Sequence, residues 1–302
     1  MRLKEDTDIV QLSENMLVWS GEKKNTELNR SGEVVYLTFK RLSDCGFIRH
    51  GFSTRIGGVS QGFFSSMNLS FSRGDDERAV HENFKRIAAA IGVSCEDMVF
   101  SDQTHTTNVR VVTKEDRGNG MTRQKSFFET DGMVTNVPGL VLTTFYADCV
   151  PLYFVDPVHR AIGLSHSGWR GTVGRIGKKT LDLMQQMYGT RPEDVIAAIG
   201  PSICRDCYEV SEDVAEQFKS TFHDYECAQI LFPHTDSGEK EQKYQLDLWK
   251  ANELILSEAG ITAQNLIIPE LCTCHNPDFL FSHRATNGKR GNLAAFLSIQ
   301  QA

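Results

Sequence analysis

Short apolar runs alternate along this chain with stretches whose apolar residues recur every three or four positions, and this alternation constrains the fold most. Runs at 109–112, 140–146, 152–155, 161–165, 195–199 and 265–268 are rich in Val, Ile, Leu, Phe and Tyr, the pattern of buried strands. Between them lie helical faces. Val80, Phe84, Ile87, Ala88 and Ile91 share one, with Asp75 or Asp76 as cap and Gly92 as stop. Ile176, Thr180, Leu183 and Met187 suggest a second. Leu248, Ala251, Ile255 and Ala259 suggest a third, between Asp247 and Gly260. The mixture predicts an α/β or α+β protein. It does not give the strand order.

With 302 residues the chain is long for one domain and short for three. Residues 1–33 are polar and read as an extension or an early edge element; 34–302 read as one compact domain. The 32 Lys and Arg against 39 Asp and Glu give a net charge of −7, so the broad basic field of a nucleic-acid binder is absent. An anionic ligand must be held by a local cluster. No apolar run reaches the roughly 18 residues of a membrane span, and the start lacks the apolar core of a signal peptide. The expectation is a cytoplasmic protein with no membrane partner, whose eight Cys are reduced.

Five segments look chemical. Arg55 stands beside Gly57-Gly58, where the backbone can approach an anion or simply turn. His105 closes Ser101-Asp102-Gln103-Thr104-His105 before a strand. Tyr146-Ala147-Asp148-Cys149-Val150-Pro151 ends an apolar strand on polar groups. In Gly163-Leu164-Ser165-His166-Ser167-Gly168-Trp169-Arg170-Gly171-Thr172 a strand delivers His166, and a Gly-flanked turn then presents Trp169 and Arg170. Cys204 and Cys207 form a Cys-x-x-Cys pair, and Cys272, Cys274 and His275 could complete a zinc site. That spacing is irregular, and buried thiols are the favoured reading. His105, Cys149 and His166 suit a zinc ion with one open position, although their wide spacing is a weak signal.

These segments resemble the laccase-domain family, once labelled multicopper polyphenol oxidases and later given purine nucleoside phosphorylase activity. The resemblance is carried by Gly51 through Ser60, Met67-Asn68-Leu69-Ser70, Gln103-Thr104-His105, Thr130-Asp131-Gly132, Ala147 through Pro151, His166 through Gly171, and Gly200-Pro201 through Tyr208-Glu209-Val210. It implies a single α+β domain of four α/β/β/α layers with mixed sheets. It implies zinc, with copper as the other candidate, on His105, Cys149 and His166. It also implies substrate or phosphate contacts from Arg55, Arg170, Arg284 and Asn68. Beyond Ser282-His283-Arg284 the family often shows Arg-Asp-Gly and Thr-Gly-Arg. This chain has Ala285-Thr286-Asn287-Gly288-Lys289-Arg290-Gly291 instead, which leaves Arg290 without an assigned role.

The function so implied is phosphorolysis of adenosine, inosine, guanosine or methylthioadenosine to base and ribose 1-phosphate, with adenosine deamination at the same site. Arg55, Arg170 and Arg284 would clamp phosphate, since guanidinium matches it bidentately. Asp148 would move a proton or orient a ligand, or else cap a turn. The partners are purine nucleosides and phosphate, bound by a monomer or homodimer. A copper-dependent polyphenol oxidase is a poor rival: four coppers need about ten His ligands, and the chain has nine His and no His-x-His. Cytidine-type deaminases fit badly too, because His-x-Glu and Pro-Cys-x-x-Cys are missing. A cysteine-type hydrolase using Cys149, a peptidoglycan-precursor editing enzyme and a non-enzymatic scaffold are the remaining alternatives.

Overall fold

The computed structural model describes residues 17–22, 24–234 and 242–301. Its strands, in chain order, are β1 (Thr26–Ser31), β2 (Val34–Phe39), β3 (Ile48–Ser53), β4 (Met98–Phe100), β5 (Val109–Val111), β6 (Gly132–Thr135), β7 (Val141–Tyr146) and β8 (Val150–Asp156). They continue with β9 (Ala161–Ser167), β10 (Ile196–Ile199), β11 (Glu209–Ser211), β12 (Leu231–His234), β13 (Lys243–Leu246), β14 (Leu266–Ile267) and β15 (Leu293–Ile299). One six-stranded sheet has the order β1-β2-β3-β15-β7-β4 and a second the order β14-β10-β8-β9-β6-β5. The first is antiparallel except at one end, where β4 runs parallel to β7, and the second except at both ends, where β10 runs parallel to β14 and β5 to β6. A small antiparallel sheet, β11-β13-β12, completes the set. Mixed sheets with helices outside the strand ladders make this an α+β fold.

The six apolar runs of the sequence all become strands, shifted by a residue or two at their ends. Strands β8 and β9 are buried along their whole length, which is why they read as continuous runs rather than alternations. Strand β15 is equally buried but is not among the six runs. Among the described residues strand β1 is the edge of its sheet and pairs with β2 alone, and it lies within the polar first 33 residues.

Three cores hold these elements. Phe39, Phe52, Leu142 and Leu297 of the first large sheet meet Tyr153, Ile162 and Leu164 of the second. The other side of the second sheet, through Leu152, Phe154 and Ala197, packs on Leu181, Met184, Ile255 and Leu256 of two helices. The helix Glu77–Ile91 lays Val80, Phe84 and Ile87 on Val141 and Phe296 of the first sheet.

Helix ends follow local chemistry. Asp76 is the cap of Glu77–Ile91, accepting the Ala79 amide at 2.9 Å, and Gly92 ends it in the left-handed region. Asp75 instead accepts from the Ser60 hydroxyl and the Asn68 amide. Asp247 caps Leu248–Glu258, and Gly260 follows its end. One helical face differs from expectation. In Ile176–Tyr188 the buried side is Ile176, Gly177, Thr180, Leu181 and Met184, whereas Met187 is 47% exposed and Leu183 is half-buried. Gly177 is the reason. A Cβ there would lie 3.0 Å from Leu256 and 3.2 Å from Leu152, so the helix approaches its neighbours along that side.

Candidate metal centre and its cavity

Two loops and a strand end bring His105, Cys149 and His166 together. His105 lies between β4 and β5, Cys149 stands one residue before β8, and His166 is in β9. The β8–β9 ladder sets Pro151 opposite His166, which brings the Cys149 turn beside the end of β9. The donor atoms of the three residues lie within 4.8 Å of one another. His105 and Asp148 both sit at positive φ, 64° and 87°. Non-glycine residues adopt that region at a cost of about 1–2 kcal/mol, and such strain collects at functional sites. Gly168 closes the arrangement: a Cβ there would lie 3.0 Å from the His105 ring and 3.2 Å from Cys149 Sγ.

Asp131 organises the group. Its carboxylate accepts from the amides of Thr104, His105 and Thr106, from the Thr106 hydroxyl, and from His166 Nδ1 at 2.8 Å. Its carbonyl also takes the His166 amide at 2.7 Å. Burial raises the Asp131 carboxyl, but His166 and Thr106 outweigh this and hold it below the usual range. The sequence offered only the Thr130-Asp131-Gly132 match as a signal for this residue, with no role attached.

Burial also pushes the Cys149 thiol up, yet the charge of His166 and hydrogen bonds from both His rings bring it down to about 6. His166 shows the converse. Burial lowers it, and Cys149 and Asp131 together raise it to about 9. One thiolate and two imidazoles form a donor set that zinc and copper both accept. The carboxylate behind His166 is the outer partner that metal-bound imidazoles usually have. The residues therefore fit a single metal ion with one position left open.

A cavity of about 420 Å³ opens on this centre, with His105, Cys149 and His166 in its wall. Phe71, Phe100 and Phe145 give it aromatic surface. Two cations reach it, Lys125 and Arg290. Lys125 pairs with Asp102 at 2.5 Å, whereas Arg290 has no carboxylate partner among the described residues. Arg290 Nη1 bonds Asn292 and the Gly291 carbonyl, and its buried Nε has no hydrogen-bond partner among the described residues. Burial, helped by Arg73, lowers its guanidinium to about 10.

The three arginines expected as a clamp do not converge there. Arg55 donates to the carbonyls of Ser65 and Pro277 and lines a separate small pocket. Arg284 donates to the carbonyls of Cys207 and Glu209. Arg170 lies exposed over the Trp169 ring at 4.1 Å. Asn68 is buried beside the cavity, where its side chain serves Ser70, Asp75 and the Asn292 amide. Asp148 uses both carboxylate oxygens on other loops, accepting from the Thr273 hydroxyl at 2.6 Å and the Arg284 amide at 2.7 Å.

Residues 49–300 match the family model described as multi-copper polyphenol oxidoreductase laccase. Among curated relatives, the chain is 36% identical over 253 residues to "Purine nucleoside phosphorylase YlmD" of Bacillus subtilis, covering 83% of this chain and 88% of that protein. It is 35% identical over 236 residues to "Adenosine deaminase RL5" of an unknown prokaryotic organism, covering 77% and 87%. The crystal structure of YlmD from Geobacillus stearothermophilus superposes with a TM-score of 0.81 at 33% identity, covering 91% of this chain and 99% of that one.

Proposed function

Because the chain belongs to the multi-copper polyphenol oxidoreductase laccase family, we propose that it is a zinc-dependent purine nucleoside phosphorylase that also deaminates adenosine. One observation carries this reading: a Cys–His–His centre, backed by Asp131, in the wall of a cavity large enough for a nucleoside. The names of the relatives at 36% and 35% identity supply the substrate class.

In phosphorolysis a phosphate oxygen bonds to ribose C1′ and the C1′–N9 bond breaks. The purine leaves with the electron pair and takes up a proton. Arg290 holds the phosphate in this scheme, as a cation of the cavity wall with no carboxylate partner among the described residues. Lys125, paired with Asp102, is the second cation of the cavity wall. Phe71, Phe100 and Phe145 offer flat apolar surface to the base. Asp148 acts as a positioning residue: its contacts with Thr273 and Arg284 fix the turn that carries Cys149. Arg55, Arg284 and Asn68 likewise hold the surrounding loops. In deamination a water oxygen bonds to C6 of adenosine, ammonia leaves and inosine results. A zinc ion held by His105, Cys149 and His166 would supply Lewis acidity at the open face of the cluster.

The test is direct. Protein incubated with adenosine and phosphate should release adenine and ribose 1-phosphate, and inosine should form with or without phosphate. A zinc chelator should abolish both. No product from adenosine, inosine, guanosine or methylthioadenosine in zinc-loaded protein would overturn the reading.

A cysteine-type hydrolase is the second reading, favoured by the low Cys149 pKa beside His166. It requires activity in metal-free protein and loss of that activity on alkylation by iodoacetamide. The metal reading requires zinc to protect Cys149 from the same reagent.

A further inference from the structure

A second set of donors lies outside this centre. Cys204 and Cys207 flank a short turn, Arg205–Cys207, in which the Cys207 amide bonds the Cys204 carbonyl at 3.2 Å. Cys272 and His275 stand on a second turn, brought alongside by the parallel bridge of Ser202 with Cys272. The three sulfurs and the imidazole nitrogen lie within 4.8 Å of one another. We propose that Cys204, Cys207, Cys272 and His275 bind a second metal ion, a structural zinc.

The chemistry of the cluster argues for it. Two x-x-spaced pairs from separate loops give four donors, the full complement of a closed tetrahedral Cys3His site. With Zn–S and Zn–N bonds of normal length, ligand atoms stand about 3.6–3.8 Å apart. Cys204 Sγ and His275 Nδ1 are 3.7 Å apart. The Cys272 sulfur accepts the Cys204 amide at 3.3 Å and is also faced by the amides of Cys274 and His275, an environment suited to a thiolate. Cys274 is not one of the four residues whose donor atoms gather within 4.8 Å of one another. All eight cysteines are free thiols, so no disulfide competes for these sulfurs. Cys204 and Cys272 are buried while His275 is exposed, so an ion can enter from solvent.

The site ties together two loops that support the first centre. Ile203 donates its amide to the Asp148 carbonyl, and Thr273 donates its hydroxyl to the Asp148 carboxylate. Arg284 grips the Cys207 carbonyl. With four protein ligands no position is left for substrate, so the second ion is a clamp. This proposal is independent of the nucleoside reading.

Zinc in the full-length protein, dialysed and measured by plasma mass spectrometry, tests it. Wild type should hold two zinc ions per chain; His105→Ala should keep one. Cys204→Ser with Cys207→Ser should also keep one, the other. His275→Ala changes an exposed side chain and should leave the fold intact, while the second zinc is lost to a competing chelator at least tenfold more readily. Cobalt-substituted His105→Ala should show the near-ultraviolet charge-transfer band of a three-thiolate site. One zinc in wild type and none in His105→Ala would overturn the proposal. So would unchanged chelator competition in His275→Ala, or a disulfide among Cys204, Cys207 and Cys272 in the unreduced protein.

Discussion

Asp131 accepts from three consecutive amides and from His166 Nδ1, so one carboxylate fixes both the His105 loop and the His166 ring. Asp131→Asn replaces one acceptor oxygen with a donor and opposes the tautomer that leaves His166 Nε2 free for metal. Metal affinity should fall roughly 10–100-fold, the usual cost of losing such a partner. Competition with a chromophoric chelator measures it, and an unchanged affinity would remove Asp131 from its orienting role. Arg290 gives a second prediction. Hydrogen bonds to charged groups are worth about 1.5–3 kcal/mol, so Arg290→Gln should raise the KM for phosphate roughly ten- to hundredfold. Zinc content should not change. An unchanged phosphate KM would remove Arg290 from the anion site. The metal trio was legible through the family resemblance, since a lone His or Cys at a strand end is more often structural and the spacing of the three is wide. The arginines were not legible: a long side chain can turn to a ligand or to a backbone carbonyl. In Arg55 and Arg284 the carbonyls won.

At the scale of single elements, strand β3 carries a buried titratable group. His50 Nε2 accepts the amide of Phe39, at the end of β2, at 2.8 Å, and its ring lies against Phe39 and Tyr153. Burial lowers it to about 4, from 6.5 in the unfolded chain. The folded state therefore binds fewer protons than the unfolded state between these values, and stability falls as pH drops from 6.5 toward 4. The shift corresponds to about 3 kcal/mol. Urea unfolding from pH 7 to pH 4 should show that loss, and His50→Gln should be less stable at pH 7 but flatter with pH. Equal slopes in the two proteins would exclude His50 as the cause. The same scale shows which elements the sequence reveals. Strands β7, β8 and β9 are long and buried, so hydrophobicity alone marks them. Strands β11, β12 and β13 are short and β1 is an edge strand; all four are partly exposed and mixed with polar residues, and no periodicity separates them from loops.

For the whole molecule, strand order is the part that local pattern withholds. Strand β15, at the end of the chain, inserts between β3 and β7. The β6–β9 pairing that joins Asp131 to His166 is likewise a long-range choice. Family resemblance carried the fold class and the Cys–His–His trio past this gap, whereas the position of Arg290 in the cavity wall emerged only in three dimensions. The same long-range packing links the sheet-on-sheet core to the metal centre. Phe52 is fully buried on β3, its ring 5.9 Å from Tyr146, and Tyr146 lies 5.6 Å from the His166 ring. Phe218 is equally buried, but in the core between the second sheet and the outer helices, stacked on Phe222. Truncating either to Ala should cost about 3–5 kcal/mol, a large part of the roughly 5–15 kcal/mol that holds a domain folded. Calorimetry should thus show similar drops in Tm. Metal affinity should separate them. Phe52→Ala removes the support behind Tyr146 and lets the His166 ring move, so it should release zinc to a chelator more readily at 25 °C. Phe218→Ala should bind zinc at the first centre as wild type does. Equal losses in both variants would mean that the centre reads global stability, not the packing of the core beneath it.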